Sequence, residues 1–225
     1  TTDGDIDLIA DEMTLNGAPV SAIVAGGVNE VFIDQYASTV WAGLYTLGAI
    51  EIGVGATDSY TPGLFDLPVL GIDDNELATI TTTDGVVIGS TTAAPLSGIT
   101  LVGNDTTHAG YANMSVISGS SITDNGFWPV LAVSGNLTLD SDTGISGSGG
   151  PLGNSFEVDA ATLAARTRTS GNIDIADFTG FTVDTSINAA GGVEFDGVYT
   201  ASGSGGNIDL ATGNNSLIVN KPVTA

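Results

Sequence analysis

At 225 residues and 42% apolar, the chain can bury a sizeable core, which excludes disorder despite a net charge of −23. Its 26 acidic residues face only Arg166, Arg168 and Lys221, and no Lys or Arg precedes Arg166. Nucleic acids and anionic membrane surfaces, which demand clustered Lys and Arg, are thereby excluded as partners.

The anomaly is a shortage of bases, since the acidic share is ordinary. Trypsin-like proteases would find almost nothing to cut, which suits life outside the cell, and self-repulsion favours solubility. Zero cysteines removes disulfides, thiol catalysis and thiolate metal sites. No apolar run reaches the ~18 residues that span a bilayer. The chain begins Thr-Thr without a signal peptide, so a processed product or a fragment is expected.

In chain order, the first element reads GDIDLIADEMTLNGAPVSA from Gly4 to Ala22. Its Ile6-Asp7-Leu8 triplet puts two side chains inward and one outward on a short strand. Residues 23–69 are less regular and aromatic-rich, with Tyr36, Trp41, Tyr45, Tyr60 and Phe65. Such aromatics stack on sugars in lectins, but more often fill an irregular stretch or a subunit contact. The contact is the reading adopted, within a single unit spanning 1–225. Ile50-Glu51-Ile52 is the next triplet.

Asp73 to Ile80 opens with cap-type residues followed by helix formers and predicts a one-turn helix. Triplets resume at Val86, Ile99, Met114 and Leu137. Asp159 to Arg166, DAATLAAR, predicts a second short helix on the same grounds. Further triplets begin at Ile173, Phe181, Val193, Ile208 and Leu217. Gly, Asn, Asp, Ser and Thr punctuate them all, as tight corners require.

The last twenty residues, GNIDLATGNNSLIVNKPVTA from Gly206, rhyme with the first element, and a third copy starts at Gly171 as GNIDI. Self-similarity of this kind marks a repeat architecture. A β-sandwich needs strands of ~5–6 residues joined by hairpins, whereas these strands are shorter and hairpin signals are few. A parallel β-helix, or solenoid, with levels of about 20–25 residues and short irregular insertions fits better. About ten levels at ~4.8 Å each would give a rod roughly 45–50 Å long.

The runs LGIDDNELATITTTDGVVIGSTTAAPLSGITLVG, VISGSSITDNG and LAVSGNLTLDSDTGISGSGGPLGNSFEVDAATLAARTRTSGNIDI resemble the repeats of very large bacterial adhesins similar to filamentous haemagglutinin. The resemblance covers roughly Leu70 to Ala225 and the first twenty residues. It implies a right-handed parallel β-helix, export through the outer membrane, and a role in a fibre on the cell surface, in contact with host or matrix.

No catalytic constellation is expected. His108, the sole histidine, lies in the polar stretch Asn104-Asp105-Thr106-Thr107-His108, which reads as a loop, and a triad or zinc site would need further partners at defined positions. A glycosidase could use Asp73-Asp74, or Asp140 with Asp142, but Asp at corners is usually a turn former. Ca²⁺ suits oxygen-rich loops, and Asp7, Asp174 and Asp209, the polar residues of three Ile-Asp-Leu/Ile triplets, are its candidates. Thr clusters at 81–83 and 106–107 are too irregular for an ice-binding face. The reading is a structural and adhesive segment, stacking end to end on copies of itself. The rival is a carbohydrate-binding or carbohydrate-cleaving β-helix.

Overall fold

The computed structural model describes residues 5–10, 13–15, 23–24, 30–35, 39–40, 44–45, 49–59, 69–90, 98–126, 130–148, 153–187, 194–201, 203, 205–213 and 215–225. Among them the chain is almost entirely β, and seventeen strands join one sheet whose pairings are parallel. No described helix is long and apolar enough to cross a membrane.

The triplets explain the sheet. Those in the middle of the stack bury their first and third residues and pair with a triplet one level along, so like side chains lie above like. In the first ladder one column runs Ile6, Val31, Val86, Met114, Leu137, Leu163, Val183 and Val219. The next column runs Leu8, Ile33, Ile88, Val116, Leu139, Ala165, Val198 and Val223. A second ladder stacks Leu70, Ile50, Ile99, Ile122, Ile145, Ile173 and Ile208. A third joins Asp105 to Leu131 by a bridge, and continues through Val158 and Asp177 to Thr212. The ladders share one apolar interior, from Val31 at one end to Val198 at the other. Among the described residues each column of the first ladder holds eight side chains, fewer than the ~10 levels expected.

The repeated Gly-Asn-Ile-Asp motif has a physical basis. The copies at 171 and 206 are adjacent strands in register, Ile173 on Ile208 and Asp174 on Asp209. A Cβ on Gly206 would overlap the Gly171 carbonyl oxygen, and one on Gly171, whose φ is 95°, would overlap that of Thr143. The Asn between them bridges levels, since the Asn207 amide donates to Asn172 Oδ1 at 2.9 Å, 35 residues away. Asn113 does the same, accepting from the Asn136 amide and donating to the Asp84 carbonyl.

The opening copy differs. Ile6-Asp7-Leu8 belongs to the first ladder, whereas the copies at 171 and 206 belong to the second. The motif specifies a short strand entered by a tight corner, not a particular face.

Asp73 to Ile80 holds one helical turn at Asp74–Leu77, closed by a capping box in which the Asp73 and Glu76 side chains each accept a backbone N–H of the other's end. The expectation of a helix at Asp159 to Arg166 is overturned. Phe156–Thr167 is a twelve-residue strand paired with Val130–Ser141 along its length. Alanine has high helix propensity, but Ala160, Leu163, Ala164 and Ala165 are buried at 2% exposure or less. Small side chains on both faces let other segments pack closely, and that tertiary packing outweighs local preference.

Candidate functional site: the terminal level and the covered face

The sheet's first ladder is covered on its outer side. Between Ile6 and Leu8 type residues, each strand turns one side chain outward, and Ser115, Thr138 and Ala164 form that outward column. They are nonetheless at most 2% exposed. The segment after Val183 accounts for this. It leaves the ladder at Asp184 and folds back over the preceding levels as two paired arms, with the Ser186 amide donating to the Phe195 carbonyl and the Phe195 amide to Ser186 Oγ. Asn136 Nδ2 donates to the Thr185 carbonyl at 3.0 Å, the Ile187 amide to Thr138 Oγ1 at 2.9 Å, and Ser115 Oγ to the Ile187 carbonyl at 2.6 Å.

Beneath this strap lies Arg166, and Arg168 shares its partner Asp140. Arg166 Nη2 and Arg168 Nη1 each sit 2.7 Å from a different oxygen of Asp140, whose side chain is fully buried. The Arg166 guanidinium is 4.5 Å from the Phe195 ring centroid, and Phe195 meets Tyr199 edge-on at 5.4 Å. Burial works against the Arg166 charge, but its bonds to Asp140 and Tyr199 raise its pKa further. Asp142 lies 3.6 Å from Arg168. Asp140, a glycosidase candidate in the sequence, is thus sealed between guanidiniums, and Asp73 caps a helix.

Ladder one ends at Ile218–Val219 and Val223–Thr224, which pair inward with Thr182–Val183 and Val198–Tyr199. Their outer edge has no strand among the described residues. Leu217, Ile218, Val219 and Val223 are 36–55% exposed, an unusual concentration of apolar surface on a hydrogen-bonding edge. Beside it a hollow of ≈ 360 Å³ is lined by Asp196, Tyr199, Thr200, Gly203, Pro222 and Thr224. Lys221 closes one side of the level by pairing with Asp196 at 3.1 Å. At the opposite end of the same ladder, Ile6–Ala10 pairs with Val31–Gln35 on one side only among the described residues, and Ile9 is 59% exposed.

Comparison with models of known families, with curated proteins and with solved structures gives no match. The functional reading therefore rests on this chain alone.

The structure brings together some expected residues and separates others. Asp174 and Asp209 are register neighbours, Asp209 exposed and Asp174 half-buried with Oδ1 accepting from Ser155 Oγ. Asp7 stands in another ladder, opposite Phe32. Tyr36, Trp41, Tyr60 and Phe65 lie outside the described residues. Tyr45 is placed only by its backbone, in the antiparallel pair Thr39–Val40 with Leu44–Tyr45.

Sequence reasoning missed the surroundings of His108. Its Nε2 lies 3.2 Å from Asp105 Oδ1 and 3.3 Å from Asp74 Oδ1. Asp105 is 1% exposed, and burial, only partly countered by His108, lifts its pKa to about 6. The His108 value also rises, because the two carboxylates outweigh the opposing effect of burial, which is the largest single contribution. Nothing local in the sequence signals Asp74 as a partner, since it arrives from another level of the fold.

Proposed function

We propose that this chain is a non-catalytic building segment of an extracellular bacterial surface fibre, folded as a right-handed parallel β-helix that stacks end to end on further copies. One observation carries the reading. The two apolar columns of the first ladder begin at Ile6 and Leu8 and end, exposed, at Val219 and Val223. A second copy can continue both columns in register, placing its Ile6 over Val219 and its Leu8 over Val223, and pairing two strand edges that have no partner among the described residues.

Composition supports the setting. A base-poor, cysteine-free chain resists trypsin-like cleavage and needs no oxidising compartment, and the resemblance to haemagglutinin-like repeats points the same way.

Electron microscopy and light scattering over a concentration series test this directly. Filaments or linear oligomers that shorten in Val219→Asp/Val223→Asp are expected, because a charged residue in each column would have to be buried at the joint. A monodisperse monomer at high concentration would refute the stacking reading. A glycan array and a depolymerase assay check the carbohydrate rival, and a fibre spacer is silent in both.

A further inference from the structure

In a chain this poor in bases, each strong base is already committed. Arg166 and Arg168 hold Asp140, and Lys221 holds Asp196. Asp74 and Asp105 nevertheless converge on one imidazole nitrogen, with side-chain exposures of 16% and 0% against 6% for His108. A single N–H cannot serve two carboxylates at full strength.

The distances argue the same point. Charge-assisted N–H···O bonds run ~2.7–2.9 Å, and both arginine bonds to Asp140 are 2.7 Å. The contacts at His108 are 3.2 and 3.3 Å, longer than an ion pair needs. A tetrahedral cation with bonds of ~2.0–2.1 Å sets its ligand atoms roughly 3.3 Å apart. The donor atoms of Asp74, Asp105 and His108 all lie within 4.8 Å of one another.

An independent feature lies beside the cluster. Tyr111, 5% exposed, packs its ring 5.5 Å from the His108 ring. Its hydroxyl, and Oδ2 of Asp105, have no hydrogen-bond partner among the described residues. Burial and the nearby Asp105 and Asp74 charges hold the phenol well above its usual pKa. Buried polar atoms without partners are uncommon, and here two of them border the same cluster.

We propose that Asp74, Asp105 and His108 bind one divalent transition-metal cation of the Zn²⁺ class, His108 ligating through Nε2. Two carboxylates and a neutral imidazole balance its charge. One nitrogen and two oxygen donors suit Zn²⁺ better than Ca²⁺, which takes six to eight oxygens. Asp74 is already oriented, since the Thr106 amide and hydroxyl donate to its Oδ1 at 2.7 and 3.0 Å. The cation would pin the Asp74–Leu77 turn to the stretch carrying Asp105, which bridges to Leu131.

The full chain, stripped with chelator, is titrated separately with Zn²⁺, Mn²⁺ and Ca²⁺ by calorimetry and thermal melting. The expected result is one Zn²⁺ per chain, and a Tm rise of roughly 5–10 °C at a hundredfold excess over Kd. Both are lost in Asp105→Asn and His108→Gln. Co²⁺ added to the unaltered protein gives a readout independent of variant folding, with the intense visible bands of a tetrahedral site expected. Zn²⁺ uptake that survives His108→Gln, a preference for Ca²⁺, or weak octahedral Co²⁺ bands would each overturn the assignment.

Discussion

Asp140→Asn is the sharpest test of how this chain uses its few bases. Asp140 is fully buried and accepts 2.7 Å bonds from Arg166 and Arg168. Asparagine keeps the shape, but turns an N–H₂ toward one guanidinium, leaves Arg166 without its counter-charge and leaves Arg168 only the partly exposed Asp142 at 3.6 Å. Removing one partner of a buried ion pair costs about 3–5 kcal/mol. Arg166 and Arg168 keep 14% and 21% of their side chains exposed, so partial rehydration places the cost near the lower end, about 3 kcal/mol. For a chain of this length that is a Tm drop of roughly 6–12 °C. Asp142→Asn is the internal control. Its carboxylate is 27% exposed and 3.6 Å from Arg168, so a loss under about 1 kcal/mol is expected. Urea unfolding followed by circular dichroism measures both. If Asp140→Asn costs no more than Asp142→Asn, the buried charge cluster is not stabilising the fold, and the reasoning fails.

Two further outcomes follow from the ladders. Gly171→Ala forces a Cβ into the Thr143 carbonyl at a φ of 95°, and should destabilise the fold by about 1–3 kcal/mol in the same unfolding assay. Glu30 has a raised pKa from burial first, then from Asp84 and Asp5. The folded state therefore holds its proton longer than the unfolded chain, and its contribution to stability falls as pH rises from 4.5 through the raised value. Glu30→Gln should accordingly melt higher than the parent at pH 7 and match it near pH 4. An equal difference at both pH values would contradict the sign.

The Gly-Asn-Ile-Asp copies at 171 and 206 were legible because each position has a local reason: close approach at Gly, level bridging at Asn, alternation at Ile. Their equivalence to the opening copy was not, because three residues encode a strand and its corner but not which ladder receives it. The stretch Asp159 to Arg166 misled for a related reason, as helix propensity is local while pairing with Val130–Ser141 is not. The strap left almost no trace. Its apolar anchor among the described residues is Phe195, packed against Ala164 and Tyr199, and a single aromatic has no period to detect. His108 could be picked out as unique, yet Asp74 reaches it only through the stacking of levels.

The strap also has a mechanical meaning. Interlevel hydrogen bonds in a parallel ladder run along the stack, and the described chain ends lie at opposite ends of it. Tension applied through those ends therefore peels levels singly, each opening under its own small load. The arms at 184–187 and 194–196 interrupt that sequence, because their bonds to Ser115, Thr138 and Asn136 tie several levels to one another. Peeling that arrives at Val183 must shear those attachments together. A fibre made of such units would lengthen at its joints and outer levels first, and keep its strapped middle as the last part to yield.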